Sequence, residues 1–305
     1  MFLKPLSPIV LFVYNRPEHV RRTVEALQKN RLACDSELII YSDGSSNHES
    51  ILKIANVREY LKAITGFRKI QIRESLTNKG LSNSIIDGVT SVLFEYGKVI
   101  VLEDDMVTSP YFLTYMNEAL EKYASDDRVV SIHGYVYPVK QPLPEAFFLH
   151  GADCWGWATW SRGWSAFNSN GQFILDELKR RKLIHAFDFN GAYPYSKMLE
   201  GQITGANDSW AVRWYGSAYL AGKLTLYPGR SLVHNIGNDD SGTHCGETDF
   251  HNVELSNIPI DISRVKVRPS QKARTAIEAF FRKNKAGVFP QLLRKARALF
   301  WLCRR

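Results

Sequence analysis

Cysteine is scarce in this chain of 305 residues, and the little there is does not cluster. Cys34, Cys154, Cys245 and Cys303 form neither a Cys-x-x-Cys pair nor a dense framework, which argues against a disulfide scaffold or a structural zinc site and fits a reducing compartment. Long apolar runs are lacking as well. Nowhere do about eighteen apolar residues follow one another, so no membrane-spanning helix is expected. Met1 to Ile9 carries one lysine and two prolines and runs straight into an apolar strand, without the apolar core and cleavage site of a signal peptide. The body of the chain also lacks excess positive charge. The formal net charge is +8, but from Lys266 to Arg305 twelve Lys or Arg face Glu278 alone, a local balance of +11 that leaves −3 elsewhere. Basicity belongs to a tail, and the body needs no nucleic acid as partner. Internal repeats and low-complexity blocks are absent, and 45% hydrophobic with 23% charged residues is the composition of one large or two small globular domains.

What is present is organised around Val99-Ile100-Val101-Leu102-Glu103-Asp104-Asp105. A continuous apolar run that breaks into carboxylates reads as a buried strand of a parallel sheet opening into a crevice, where ligands of open α/β sheets bind. Three adjacent acids repel one another and resist desolvation, so their place at the mouth of a buried strand suits a hard divalent cation. The bland alternative is a solvated turn leading to a helix near Pro110, with Ser109 as its N-cap.

Upstream, Ile9 to Tyr14 is a second apolar run, ended by Asn15-Arg16-Pro17, and Val20, Thr23, Val24 and Leu27 recur at helical spacing. Leu38 to Ser42 repeats the strand and closes on Asp43-Gly44-Ser45-Ser46, a turn that lets a ligand approach the backbone. Further helices are expected near 49–62 and 81–94, with a strand at 69–73, so four strands alternate with helices in the first hundred residues. After a helix near 111–123 and a strand at 129–132, Cys154-Trp155-Gly156-Trp157-Ala158-Thr159-Trp160 and Trp164 concentrate four of seven tryptophans. Tryptophan is mostly buried, yet Trp with Gly in an irregular segment also presents flat faces to a sugar ring, and both readings stand. Asp208-Ser209-Trp210 opens a helix to about Ala221, with Asp208 as a candidate N-cap. His234 ends a late strand, and Asn235 to Gly246 is rich in Gly, Asp, Ser and Thr, which predicts a mobile loop.

This ordered set resembles the GT-A fold nucleotide-sugar glycosyltransferases over roughly residues 8–246. It is most similar to N-acetylglucosaminyltransferase I-like enzymes, whose acidic motif matches Glu103-Asp104-Asp105-Met106 with Pro110 following, and the Asp43-Gly44-Ser45 turn is closer to bacterial family 2 glycosyltransferases. The resemblance implies a mostly parallel α/β sheet with flanking helices, a UDP-sugar donor (GlcNAc-like by the acidic motif) and a glycan or lipid-linked saccharide acceptor. It implies Mn2+, or Mg2+, bound by Asp105 and His234; donor contacts from Asn15, Arg16, Asp43, Glu103, Asp104 and Trp157; and Asp208 as the base of an inverting displacement. Arg16 would pair with the diphosphate, Asp43 would accept from the uracil ring, and Asp104 would bind the ribose or a metal-bound water. The family's second acid after Asp208 is here Ser209.

These readings give a catalytic domain over 1–265, with a donor half to about 108, and a helical tail over 266–305. In the tail, Ala273, Ala276, Ile277, Phe280 and Phe281 form one apolar stripe and Phe289 to Cys303 a second, each opposite Lys and Arg. Over 270–305 this reads as helices on an anionic membrane surface, hence a cytoplasmic enzyme peripheral on the inner membrane face, with packing on the body as the competing reading. A nucleotidyltransferase is the alternative enzyme, but Asn15-Arg16-Pro17 is not its glycine- and arginine-rich phosphate loop. A non-enzymatic adaptor using the basic tail leaves the carboxylate turns unexplained.

Overall fold

Ile9-Val10-Leu11-Phe12-Val13 is apolar throughout because both faces of the strand are covered. In the computed structural model, which describes residues 5–237, 239 and 249–284, this is β1 (Ile9–Val13) of an eight-stranded sheet. Ile9, Leu11 and Val13 belong to the core on one side, Val10 and Phe12 to the core on the other. Helix α1 (Pro17–Gln28) opens on a proline whose missing N–H has no helical partner to lose. β2 (Glu37–Ser42), α2 (His48–Lys62), β3 (Lys69–Glu74), α3 (Leu81–Tyr96) and β4 (Lys98–Glu103) follow. Reciprocal Asn47–Ser50 hydrogen bonds close the start of α2. The four strands lie parallel in the order β3-β2-β1-β4, the doubly wound arrangement that the alternating apolar runs predict.

Past the acidic turn the chain forms β5 (Met106–Thr108), α4 (Phe112–Lys122), β6 (Val129–His133), β7 (Ala146–His150) and β8 (Trp157–Trp160). Then come α5 (Ser161–Trp164), α6 (Gly171–Arg180), α7 (Ile184–Phe187), α8 (Tyr195–Ile203), α9 (Trp210–Leu220), β9 (Leu224–Pro228), β10 (Val233–Asn235) and α10 (Gln271–Lys283). The sheet continues β4-β8-β6-β9-β7, with β8 and β7 antiparallel to their neighbours. A separate ribbon pairs β5 with β10, His234 opposite Val107 and Asn235 opposite Met106.

Several expectations change here. Ser109 does not cap the next helix: its hydroxyl donates to the Ser256 carbonyl at 2.6 Å, and α4 starts only at Phe112. The Trp-Gly segment is not irregular at Trp157, which begins a central strand and is 0% exposed. Its ring meets Trp164, Trp210 and Trp214 at centroid distances of 5.7, 5.5 and 5.9 Å, so Trp157 is core and presents no face to a donor sugar. The first stripe of the tail packs on the body. In α10, Ala273, Ala276, Ile277 and Phe281 are buried, and Phe281 meets Tyr137, Phe189 and Tyr193. Ser270 N–H donates to the Phe148 carbonyl at 2.9 Å and Asn190 donates to Glu278 at 2.8 Å. Protein, not lipid, covers this face, and the body extends past residue 265. The second stripe, and residues 238 and 240–246 of the glycine-rich loop, lie outside the described residues. Among the described residues no helix is long and apolar enough to cross a membrane.

Candidate active site

The register of β1 against β4, Phe12 beside Glu103, brings the turn after the first strand next to the acidic turn. Asn15 is partly exposed in the bend between β1 and α1. Arg16 Nη2 donates to Asp104 Oδ1 and, at 2.8 Å, to Asp105 Oδ2. Thr23 of α1 donates to the Asp104 carbonyl at 2.8 Å, and Ile236 N–H donates to the Asp105 carbonyl at 2.9 Å. The strand leaving β10 therefore runs directly over the acids. Gly237 is required there, because a Cβ at that position would lie 2.2 Å from Asp105 Oδ2.

One guanidinium faces three carboxylates. Burial and then the charges of Asp105 and Asp104 push Glu103 up to about 8, with Arg16 opposing. Burial also raises Asp104, outweighing Arg16. Burial works against the charge on Arg16, but the two carboxylates outweigh it and hold its pKa above the ordinary value. Asp105 Oδ1 is buried without a hydrogen-bond partner. Excess negative charge and an orphaned carboxylate oxygen are what a divalent cation would satisfy, so the residues fit one. Asp105 and His234, the ligand pair that the resemblance implies, come from the acidic turn and from β10. His234 Nδ1 lies 2.8 Å from the Val253 carbonyl, and among the described residues no three His, Cys, Asp or Glu side chains are grouped to hold a metal.

Asp43 plays a different part from the one implied by resemblance. Its Oδ1 accepts from the N–H of Gly44 at 2.8 Å and of Lys79 at 2.9 Å. Its Oδ2 accepts from Lys79 N–H at 3.1 Å, Gly80 N–H at 3.0 Å and Asn78 Nδ2 at 3.3 Å. A carboxylate offers about four lone-pair positions, so none remains for a uracil ring. Asp43 instead pins the 78–80 turn against its own, where a Cβ on Gly44 would lie 2.4 Å from the Thr77 carbonyl carbon. The Asn-x-Gly of Asn78-Lys79-Gly80 ahead of α3 was the available signal for that second turn. Beside it lies a crevice of about 380 Å³ lined by Tyr41, Asp43, Arg73, Ser75, Leu76 and Lys79.

Asp208 is freed from capping. Ser209 takes that role, its Oγ accepting Val212 N–H at 3.2 Å, while the Asp208 side chain is 64% exposed with Arg213 Nη2 at 4.0 Å. His19 was missed: it is buried on α1, three residues after Arg16, with Nε2 at 3.1 Å from Asp239 Oδ2. Its spacing from Arg16, nearly one helical turn, was the only sequence signal.

The sequence profile described as Glycosyl transferase family 2 matches residues 9–176, more than half of the chain. The chain belongs to glycosyl transferase family 2. Its sheet and flanking helices are those of the GT-A fold, and the resemblance read from the motifs stands. Family 2 glycosyltransferases use nucleotide-sugar donors, often with a divalent metal. Among solved structures, the crystal structure of S. aureus TarS is similar over 76% of this chain and 37% of that one, at 13% identity and a TM-score of 0.39. The chain thus spans well under half the length of that protein. A comparison with curated proteins gives no match.

Proposed function

We propose that this family 2 glycosyltransferase moves a sugar, with inversion, from a UDP-sugar to a glycan or lipid-linked saccharide, using a divalent cation held through Asp105. The observation that carries the reading is the under-neutralised end of β4: three carboxylates, one arginine, and Asp105 Oδ1 buried without a partner. When bound, such a cation, Mn2+ for preference, supplies Lewis-acid stabilisation to the leaving diphosphate. Asp105 would hold it, and Asp104 would contribute through water or the ribose. Arg16, once the cation neutralises the acids, is free to turn its planar fork to the diphosphate, two of whose oxygens it matches in bidentate fashion. The crevice beside Asp43 supports a nucleoside on the β2 and β3 side, and the Glu-Asp-Asp motif supports an N-acetylglucosamine-like donor. Asp208, exposed and relieved of capping, takes the proton of the acceptor hydroxyl as the new bond forms on the face opposite the diphosphate. A peripheral membrane contact now rests on the sequence of 285–305 alone.

Calorimetry of UDP binding with and without MnCl2 tests this. Binding should require the metal in the wild type and lose that requirement, with most of its affinity, in Asp105→Asn. Equal metal-dependent binding by that variant overturns the assignment.

A further inference from the structure

On the far side of the acidic turn from Asp43 lies a cluster of polar and aromatic side chains that the donor reading does not use. Its place is fixed by register. β8 runs antiparallel to β4 with Trp157 opposite Val101, so residues 153–156 emerge beside the acidic end of β4. β6 pairs with β8 through His133 and Trp157, so the segment from Gly134 to Tyr137 leaves the sheet at the same edge. In the strand order β3-β2-β1-β4-β8-β6, the crevice beside Asp43 and this cluster flank the acids on opposite sides.

Asp153 is the carboxylate of the cluster. Its Oδ2 accepts from Tyr137 OH at 3.2 Å and its Oδ1 from Cys154 N–H at 2.9 Å, one protein donor to each oxygen where two fit. Among the described residues no Lys or Arg pairs with it. The nearest partner is His133 Nε2 at 4.0 Å. That ring is neutral, because burial lowers its pKa despite Asp153, and Nε2 accepts Trp155 N–H at 3.1 Å while the buried Nδ1 is left without a partner. The side chains around it are aromatic. Trp155 is only partly buried and meets Tyr135 and His251 edge-on at 4.8 and 5.1 Å, and Tyr137 OH lies 3.4 Å from Tyr195 OH. The Asp153 side chain is 23% exposed, so solvent and ligands reach it.

An unpaired carboxylate among tyrosines is unfavourable for folding, and this one is half-satisfied by hydroxyl and amide donors. A pyranose complements such a place. Its hydroxyls donate to the spare carboxylate lone pairs, and its apolar C–H face lies against an indole. We infer that Asp153, Tyr137 and Trp155 form the acceptor-saccharide subsite, with Asp153 as the residue that determines which sugar hydroxyl is presented. The inference rests on the glycosyltransferase reading and goes past it, since it names a recognition carboxylate distinct from the base and a stacking face distinct from the buried Trp157.

The test titrates methyl α- and β-glycosides of glucose, galactose and N-acetylglucosamine into the full chain saturated with UDP and MnCl2, observed by ligand-detected NMR. At least one glycoside should bind the wild type, and Asp153→Asn and Trp155→Ala should each weaken it by about tenfold or more, the loss expected for a hydrogen bond to a charged group or a stacking face. UDP affinity should stay within about twofold in both variants, which also shows that they fold. Tyr137→Phe, which leaves the carboxylate in place, should lose less than Asp153→Asn. Equal glycoside binding by wild type and Asp153→Asn, or no binding of any glycoside to the wild type, overturns the subsite. Failure of the wild type to bind UDP would instead overturn the glycosyltransferase reading.

Discussion

Two carboxylate turns stand at the same edge of the same sheet, and they are satisfied to opposite degrees. Asp43, after β2, takes hydrogen bonds from the backbones of Gly44, Lys79 and Gly80 and from Asn78. Glu103-Asp104-Asp105, after β4, shares Arg16, and Asp105 Oδ1 has no partner. A carboxylate surrounded by N–H donors is finished as structure: it holds two loops together, and removing its charge leaves those donors unpaired. A carboxylate crowded by other carboxylates is unfinished. Its environment opposes the charged form and is relieved by protonation, as at Glu103, or by a positive partner such as Arg16. The difference separates a residue that holds the crevice wall together from residues that the proposed cation would neutralise.

The largest effect should come from the unfinished turn. Asp105→Asn should abolish turnover and metal-dependent UDP binding without lowering the melting temperature, since a carboxylate that disfavours the charged forms of Glu103 and Asp104 is gone. A melting temperature that falls by several degrees would mean that Asp105 is structural, as Asp43 is. Next is Asp208. Because Ser209 caps α9, Asp208→Asn should leave stability unchanged and reduce sugar transfer by about a hundredfold or more with UDP affinity intact. Near wild-type transfer by that variant would move the base elsewhere.

A smaller effect is carried by the neutral histidines of the acceptor side. Burial lowers His251 to about 4, and His133 is lowered for the same reason. An unfolded histidine titrates near 6.5. The unfolded chain therefore binds more protons between these values, and stability is lost as pH falls from about 6.5 towards 4. For His251, discounted for partial exposure, the loss is about 2 kcal/mol. Urea titrations of wild type and His251→Gln at pH 7 and pH 5 should differ in their pH slopes, and parallel slopes would sink the assignment.

The N-terminal half was the legible half. Continuous apolar runs such as Ile9 to Val13 and Val99 to Leu102 can be read as parallel strands because a residue covered on both faces must be apolar. The half after the acidic turn mixes directions. β8 carries tryptophan and threonine in a central position that the sequence alone could assign to a site or to the core, and the rings of Trp164, Trp210 and Trp214 decide for core. The stripe of α10 was read correctly as a stripe, but apolar spacing states that a face is covered and not by what. At the site, the acidic turn was visible as a carboxylate cluster next to a buried strand. The work of Asp43 was not, because its donors Lys79 and Gly80 come from another loop, and backbone N–H groups leave no mark in a sequence.

That hidden role carries the smallest effect and the sharpest contrast. Asp43→Asn keeps one acceptor oxygen but places an amide N–H2 against the backbone N–H groups of Lys79 or Gly80, so at least one half-buried donor loses its partner. Leaving such a donor unpaired costs about 1 to 2 kcal/mol, which thermal or urea unfolding should resolve. The 78–80 turn would then be held less firmly against Gly44, and UDP affinity should weaken only by the share of the crevice that the turn shapes, while the response to manganese persists. Asp105→Asn should show the reverse: stability kept and manganese response lost. If Asp43→Asn kept full stability and lost UDP, the carboxylate would be a direct ligand of the base after all, and the two turns would not differ in kind.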